Sequence, residues 1–160
     1  MSFPGMEPAL QSLLECIVAG LPSGTPIYLV GGAVRDLLLQ RPIHDLDFVL
    51  SENAIRTGRK IARLLDADFY ALDTERDTGR VILKEHPGTR MRLDFARQRG
   101  PDIESDLRER DFSINAIAID LQHPDRMIDP CGGANDLLTK MLRPCSPGSL
   151  INDPVRIIRA

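Results

Sequence analysis

Two aspartates separated by a single residue, Asp45 and Asp47, are the side chains of this sequence with the clearest capacity for chemistry. If the segment from Asp45 to Leu50 is a strand, both carboxylates project from one face, because residues i and i+2 of a strand share a face. Carboxylates held this close repel each other and suit a hard cation such as Mg²⁺, which a nucleoside triphosphate can bring with it. Exposed strands show the same alternation without any ligand, so the pair alone leaves both interpretations open.

Two consecutive glycines, Gly31 and Gly32, lie between a short apolar segment and a helix-like one. The backbone at such a turn can approach a phosphate, and free N–H groups at a helix start favour an anion. Arg35, one turn further on, could bind a phosphate oxygen, or it could pair only with Asp36. The pattern has neither the third glycine of a dinucleotide-binding motif nor the Gly-Lys-Ser/Thr of a P-loop, so it belongs to neither class.

A third carboxylate, Asp94, alternates with the apolar residues Leu93 and Phe95. It could reach the same site from a neighbouring strand, or it could be an ordinary exposed strand residue. The stretch 76–99 around it carries seven cations against three anions. Such a stretch fits an RNA-facing surface as well as a solvated strand face.

Helices and strands must position these side chains, and the pattern predicts both. Helical spacing of apolar residues occurs from Glu7 to Ala19 and from Glu52 to Leu65, with a short helix from Asn135 to Lys140. The predicted strands are Ile27–Val30, Asp45–Leu50, Phe69–Leu72, Arg80–Lys84 and Arg90–Ala96, with residues 114–121 mixing a helix end and a strand. The three strands between residues 69 and 96 have no helix between them. This order predicts an α+β fold in which helices back a mixed sheet, rather than a doubly wound parallel sheet.

The composition of the 160 residues, 42% of them hydrophobic, is sufficient for one core. No apolar run is long enough to span a bilayer and no secretory signal is present, so no membrane partner is expected. Three cysteines without a CxxC pair indicate reduced thiols and a cytoplasmic location. Residues from Asn152 onward are expected to begin another helix, which suggests a fragment of a longer protein.

Five motifs follow one another along residues 27–160. They are Gly31 to Asp36, the Asp45 and Asp47 pair, Arg110 to Ala116, Asp129 to Gly133, and Asp153 to Ala160. In this order they resemble the class II tRNA nucleotidyltransferases (the CCA-adding enzymes) and the related bacterial poly(A) polymerases, of the DNA polymerase beta superfamily. The resemblance implies a polymerase-beta-like nucleotidyltransferase fold with a mixed sheet of roughly five strands backed by helices. It also implies a catalytic head over residues 1–145 and the start of a helical neck over 146–160.

The resemblance assigns roles to individual residues. Asp45 and Asp47 would hold two Mg²⁺ ions, and Asp94 falls at the position of the third catalytic carboxylate. The remaining positions would bind the incoming nucleotide, and they are Gly31, Gly32, Arg35, Arg110, Asp111, Asn115, Asp153, Arg156 and Arg159. Asp153 and Arg156 would select the base, since a carboxylate accepts from the amine of C or A, where U and G present a carbonyl. Without the other motifs, Asp153 and Arg156 would be interpreted as an i,i+3 helix pair.

Two positions depart from the family pattern. Asn152 stands where the base-selecting motif begins with Glu, and Glu109 replaces the first of two paired arginines, leaving Arg110 as the essential one. These departures bear on nucleotide selection more than on chemistry.

The function that the resemblance implies is addition of CMP or AMP, from CTP or ATP, to an RNA 3′-hydroxyl. The leading acceptor is the 3′ end of tRNA. The alternatives that stay open are a poly(A) polymerase, an enzyme that adds only CC or only A, and a non-catalytic nucleotide- or RNA-binding module. The oligomeric state is not determined by any of these patterns.

Overall fold

The fold is a seven-stranded sheet with helices on both faces, seen in a computed structural model that describes residues 6–84 and 90–159, without the side chains of Lys84, Arg90, Asn152 and Arg159. The strands are β1 Ile27–Val30, β2 Asp45–Leu50, β3 Asp68–Asp73, β4 Thr78–Lys84, β5 Arg90–Arg97, β6 Ala118–Asp120 and β7 Met127–Ile128. The α-helices are α1 Pro8–Ala19, α2 Gly32–Leu38, α3 Ala54–Leu64, α4 Ile103–Arg108, α5 Gly133–Leu138 and α6 Ser149–Asn152. Two 3-10 helices occupy Ser113–Asn115 and Pro154–Arg159. In this part of the chain no helix combines the length and apolar composition needed to cross a membrane.

The strands lie in the order β3-β4-β5-β2-β1-β6-β7. β2 and β5 run parallel, and every other neighbouring pair is antiparallel. The predicted mixed sheet is therefore confirmed, but it has seven strands where roughly five were expected. The additional strands are β6, which lies within residues 114–121, where a helix end and a strand were expected, and β7, whose two residues are too short to show an alternating pattern.

Alternation along the central strands divides the core between the two faces of the sheet. On β2, Leu46, Phe48 and Leu50 belong to a large cluster that includes buried residues of α1, α2 and α3. Val49 belongs to a smaller cluster with Ile103 and Leu107 of α4. Since successive strand residues point to opposite faces, Asp45 and Asp47 lie on the side of Val49, away from the large cluster.

The centre of the large cluster is a stacked pair of phenylalanines on the two parallel strands. The ring centroids of Phe48 and Phe95 are 4.9 Å apart, and both side chains are fully buried. Burying each ring contributes about 2–3 kcal/mol relative to exposure. This contact aligns β2 with β5, the two strands that carry the aspartates.

Helix α4 is absent from the sequence prediction. Its only apolar residues are Ile103 and Leu107, both buried, which is too short a pattern to predict a helix. Its start is capped by the side chain of Asp102, which accepts hydrogen bonds from the backbone N–H of Ser105 at 2.8 Å and from its hydroxyl at 2.7 Å.

A helix was expected from Asn152 onward, and the structure has one there, but it is a 3-10 helix that begins at Pro154. α6 ends at Asn152, Asp153 has a non-helical backbone (φ −146°, ψ 87°), and the 3-10 helix follows it. A proline disfavours helical conformation in the residue before it and lacks the N–H needed to continue a helix. Ala160, the last residue of that prediction, lies outside the described residues.

The turn between β3 and β4 is attached to the start of α3. The carboxylate of Asp77 accepts hydrogen bonds from the backbone N–H groups of Ala54, at 2.8 Å, and Ile55, at 2.9 Å. These are donors that a helix start leaves without an intrahelical partner. The turn is thereby fixed to the helix that packs behind the sheet.

Candidate active site

Three carboxylates meet on the open face of the sheet because of strand register. Asp45 and Asp47 are on β2, and Asp94, on β5, is the Cα partner of Asp47 across the parallel pair. Cross-strand partners point to the same side of a sheet. The structure thus brings together all three residues that the resemblance named as catalytic.

Two of the carboxylates are neutralised by arginines on adjacent strands. Asp94 accepts hydrogen bonds from Nε and Nη2 of Arg80, both at 2.7 Å. Asp45 accepts one from Nε of Arg92 at 2.6 Å and a second from its Nη2. Each guanidinium therefore holds both oxygens of one carboxylate, the bidentate geometry that makes such pairs strong.

Asp47 lies between these pairs, and its carboxylate takes no hydrogen bond or ion pair from the residues that the structure describes. Burial raises the pKa of Asp47, and the negative charge of Asp94 raises it further, as does that of Asp45, while Arg110 and Arg80 lower it. This carboxylate is the one whose charge is least compensated.

Gly31 brings the backbone against this group. Its φ is +72°, and a Cβ at this position would lie 3.2 Å from Oδ2 of Asp47 and 3.3 Å from Nη1 of Arg110. A side chain here would require both a left-handed backbone and displacement of the two charged groups. The glycine therefore keeps the turn close to both the carboxylate and the guanidinium.

Arg35 is held by two partners. Its Nε and Nη2 donate to the carboxylate of Asp36, both at 3.0 Å, which is the pairing that the sequence left open. Its Nη1 donates to Oδ1 of Asn115 at 2.8 Å, and the amide of Asn115 donates to Asp111 at 3.3 Å. The glycine motif and the motif from Arg110 to Ala116 are thus joined by side-chain hydrogen bonds.

Arg110 depends on a residue that sequence reasoning missed. Nε and Nη2 of Arg110 donate to Oδ2 of Asp106, at 3.2 and 3.1 Å, and Asp106 is only 4% exposed. Oδ1 of Asp106 accepts the backbone N–H of Arg99 at 2.8 Å. The i,i+4 spacing of Asp106 and Arg110 could have revealed this pair, but only if α4 had been predicted first.

The two proposed base-selecting residues lie at one side of the same region. Nη1 of Arg156 donates to the carbonyl oxygens of Glu109, at 3.0 Å, and Ser149, at 3.3 Å. Its Nε is 3.4 Å from Oδ2 of Asp153, which is the i,i+3 pairing expected from spacing alone. The side chain of Arg159 lies outside the described part of the chain.

A glycine and a buried serine support the site from behind. A Cβ on Gly133 would lie 2.0 Å from the carbonyl oxygen of Ser113, so α5 can pack against the 3-10 helix at Ser113–Asn115 only with glycine there. The hydroxyl of the buried Ser149 donates to the carbonyl of Arg110 at 3.2 Å. The motif from Asp129 to Gly133 thus has a packing role.

A cleft of about 630 Å³, a size that suits a nucleotide, lies beside the glycine turn. Its walls include Gly31, Gly32, Arg35, Asp47, Arg110, Asp111, Asn115, Asp153 and Arg156. Three further arginines that the sequence placed in no site, Arg76, Arg97 and Arg99, also line it. A groove of about 730 Å³ elsewhere, next to α1, is larger, but the charged residues in its described lining are only Glu7 and Arg41.

The carboxylates at this cleft suit a hard divalent cation, with Asp47 in the wall and Asp45 and Asp94 on the same face of the sheet. In the described ranges no three His, Cys, Asp or Glu side chains are grouped closely enough to form a finished metal site. Among the described residues none donates a hydrogen bond to the oxygens of Asp47, however, and Asp45 and Asp94 project beside it. Three carboxylates are the hard oxygen ligands that Mg²⁺ takes.

Comparison with known proteins decides the family. Residues 27–143 match the family described as the poly A polymerase head domain. The chain belongs to this family. The resemblance drawn from the five motifs is therefore confirmed. The residues that match the family include the whole sheet, α2 to α5 and all three carboxylates.

Relatives of this head domain are tRNA nucleotidyltransferases. The chain is 41% identical over 157 residues to a CC-adding tRNA nucleotidyltransferase of Geobacter sulfurreducens, covering 92% of this chain and 36% of that protein. A solved complex of a CCA-adding enzyme with CTP superposes with a TM-score of 0.84 at 36% identity, covering 98% of this chain and 38% of that one. The Thermotoga maritima CCA-adding enzyme complexed with tRNA superposes with a TM-score of 0.81 at 34% identity, covering 98% and 37%.

These similarities confirm the predicted polymerase-beta-like fold of the head domain. They also show that the chain spans about a third of the length of the relatives it matches.

Proposed function

We propose that this chain is the catalytic head of a template-independent RNA nucleotidyltransferase. It transfers CMP or AMP from CTP or ATP to the 3′-hydroxyl of an RNA and releases pyrophosphate. The proposal rests on one observation, the register that places Asp94 opposite Asp47 on the face shared with Asp45. The turn at Gly31 brings Arg110 to the same point.

Asp45 and Asp47 would hold two Mg²⁺ ions, with Asp94 adding its charge from the next strand. Bound metal supplies two effects, a lower pKa for the attacking hydroxyl and neutralisation of the leaving pyrophosphate. Everything else is positioning by the chain. Gly31 and Gly32 leave the backbone open to the triphosphate.

The nucleotide would be oriented by side chains that the structure already joins. Arg35 and Arg110 bind phosphate oxygens, and Asp111 and Asn115 lie near the sugar. The hydrogen bond from Arg35 to Asn115 links the two sets, at 2.8 Å. A nucleotide that binds one set is thereby positioned against the other.

Base selection is assigned to Asp153 and Arg156, with Arg159 supporting the same pocket. A carboxylate that accepts from an exocyclic amine is left unpaired when U or G presents a carbonyl, which rejects those bases. Arg156 is anchored by the carbonyl oxygen of Glu109, at 3.0 Å. The backbone at position 109 therefore supports the pocket although the family's usual first arginine is replaced.

The leading acceptor is the 3′ end of tRNA, because the relatives are named as CC-adding and CCA-adding enzymes of tRNA. The poly A polymerase name of the family keeps poly(A) synthesis as the second candidate. We place the catalytic head in residues 1–145 and the start of a helical neck in 146–160. The exposed apolar residues of that last segment, Ile151, Val155, Ile157 and Ile158, support this division. A cytoplasmic location belongs to the same proposal and is supported by three free cysteines.

The test is incorporation of labelled CTP, ATP, UTP and GTP into tRNA lacking its 3′ end, by the full-length protein with Mg²⁺. We expect C, or C followed by A, to be added and to stop after at most three residues. Asp47→Ala should abolish incorporation, whereas Asp125→Ala, which removes an exposed carboxylate outside the cleft, should not. A long A tail would instead establish a poly(A) polymerase. Incorporation of no nucleotide by a folded wild-type protein would support a non-catalytic binding module and contradict the proposal.

A further inference from the structure

Arg80 and Arg92 hold carboxylates that the proposed reaction needs for metal binding. Arg92 bonds to both oxygens of Asp45, and Arg80 bonds to both oxygens of Asp94 at 2.7 Å. Neither arginine belongs to the motifs from which the site was predicted. The two pairs therefore have to be explained separately from nucleotide binding.

Strand register builds both pairs. Arg92 is the Cα partner of Asp45 across the parallel strands β2 and β5. Arg80 is the Cα partner of Asp94 across the antiparallel strands β4 and β5. Because both contacts join directly opposed strand residues on one face, they are set by the sheet and not by the chance placement of long side chains.

In the absence of metal, the two arginine–aspartate pairs reduce the repulsion among the three carboxylates. Three carboxylates on neighbouring strand positions repel one another, and two guanidinium groups offset two of the three charges. Asp47, the third, has no such partner among the described residues, and its pKa is raised. The arginines thus offset the negative charge while leaving one carboxylate available.

The same pairs oppose metal binding. A guanidinium that donates to both oxygens occupies one lone pair on each and places a positive charge against the carboxylate. Mg²⁺ can take those lone pairs only by displacing the guanidinium, and the same positive charge repels it from the remaining ones. We infer that Arg80 and Arg92 are positioning residues that hold Asp94 and Asp45 in the absence of a divalent cation. Metal binding then displaces the guanidinium groups from these carboxylates. This inference rests on the proposed metal-dependent function.

The experiment is titration of the full-length, metal-free protein with Mn²⁺ alone, followed by the electron paramagnetic resonance signal of free Mn²⁺. Arg92→Gln removes the competitor of Asp45 and should bind Mn²⁺ roughly three- to tenfold more tightly than the wild type. Arg92 is half exposed, so the substitution should be tolerated by the fold. Arg80→Gln is a second, independent variant, and it removes the competitor of Asp94.

Two controls separate competition for oxygens from a general change of charge. Arg97→Gln removes the same charge from a residue that lines the cleft but makes no hydrogen bond to Asp45 or Asp94 in the described structure, so it should tighten Mn²⁺ binding less. Arg92→Lys keeps the charge and loses the bidentate fork, so its affinity should fall between those of the wild type and Arg92→Gln.

A second readout is thermal unfolding with and without Mn²⁺. Arg92→Gln should have a lower midpoint than the wild type in EDTA and should gain more from Mn²⁺, because a ligand bound more tightly stabilises more. If wild-type protein binds Mn²⁺ but neither glutamine variant binds it more tightly than Arg97→Gln, the exchange is refuted and the proposed function stands. If wild-type protein binds no Mn²⁺ even with CTP, the metal-dependent function fails and the exchange fails with it.

Discussion

Asp47 combines half-buried surroundings with two like charges beside it, and it is the residue on which the proposed chemistry depends most. A carboxylate in such a place costs stability whenever it is ionised without a cation. Neutralising Asp47 should therefore stabilise the fold in the absence of a cation.

A first prediction follows from the raised pKa of Asp47. At pH values between the ordinary pKa of an aspartate and the raised pKa of Asp47, the native protein binds more protons than the unfolded chain. Stability therefore falls as the pH rises through this window. Asp47→Asn cannot ionise, and in EDTA at pH 7.5 it should unfold a few degrees above the wild type. The difference should shrink as the pH is lowered toward the ordinary pKa of an aspartate, as followed by circular dichroism. Asp45→Asn, which breaks the exposed pair with Arg92, should show no such gain, and a lower midpoint for Asp47→Asn at pH 7.5 would contradict the argument.

A second prediction concerns Asp106, the buried partner of Arg110. In Asp106→Asn the amide N–H₂ would face the guanidinium donors of Arg110. The ion pair would then be lost, and the positive charge of Arg110 would stay half-buried without its partner. We expect a loss of about 3 kcal/mol in the free energy of unfolding, measured with urea, and weaker binding of CTP because Arg110 is no longer held. Glu104→Gln is the matched control on α4, since it removes an exposed i,i+4 pair with Arg108 and should cost below about 1 kcal/mol. Equal losses for the two variants would show that Asp106 has no special role.

At the scale of the elements, β2 was predicted to the residue, whereas α4 was missed. β2 has an apolar run long enough to identify a strand, and its two aspartates share a face by local geometry alone. α4 has two apolar residues and depends on contacts with Val49 and Val30 that are remote in sequence. Elements whose stability comes mainly from tertiary packing leave little local pattern to detect.

The attachment of the β3–β4 turn to α3 yields a third prediction. Asp77→Ala removes the acceptor for two backbone N–H groups at the start of α3 and should destabilise the protein by about 1–2 kcal/mol. Urea unfolding would measure the loss. Glu75→Ala, which removes an exposed carboxylate from the same turn, is the control and should change the free energy of unfolding by less than about 0.5 kcal/mol. If Asp77→Ala has no larger effect than its control, the turn is not held by this contact.

At the scale of the whole molecule, the local charge of the cleft is opposite in sign to the net charge of the chain. The net charge is −3, which by itself disfavours a polyanionic partner. Six arginines nevertheless line the cleft, and they are Arg35, Arg76, Arg97, Arg99, Arg110 and Arg156. The side chains of Arg97 and Arg99 form no ion pair or hydrogen bond with other residues that the structure describes, so they are available to phosphates.

A fourth prediction tests this distribution. Binding of a fluorescent RNA, followed by anisotropy over a range of KCl concentrations, should weaken with salt, because cations released from RNA drive the association. Arg99→Gln should weaken binding at low salt and reduce the slope of log affinity against log salt by about 0.7, the share of one phosphate contact on a single strand. Arg63→Gln, on the exposed end of α3 and outside the cleft, should leave the slope unchanged. A slope that is the same in all three proteins would exclude Arg99 from RNA contact.

The sequence by itself determined the family, the α+β class and the strand that carries Asp45 and Asp47. These depend on local spacing and on motifs that are contiguous in the chain, which a single sequence displays in full. It also named most of the charged and polar residues that line the cleft, but it missed Asp106 and the arginines at positions 76, 97 and 99.

Only the tertiary structure decided which strand lies beside β2 and in which register. That register sets Asp94 opposite Asp47, pairs Arg92 with Asp45, and pairs Arg80 with Asp94. Each partner is 14 or more positions away in the chain, and β5 could carry the same alternation in any register. The register is fixed by burial of Phe48 against Phe95, because a slip of one residue would turn these rings to the open face and the charges into the core.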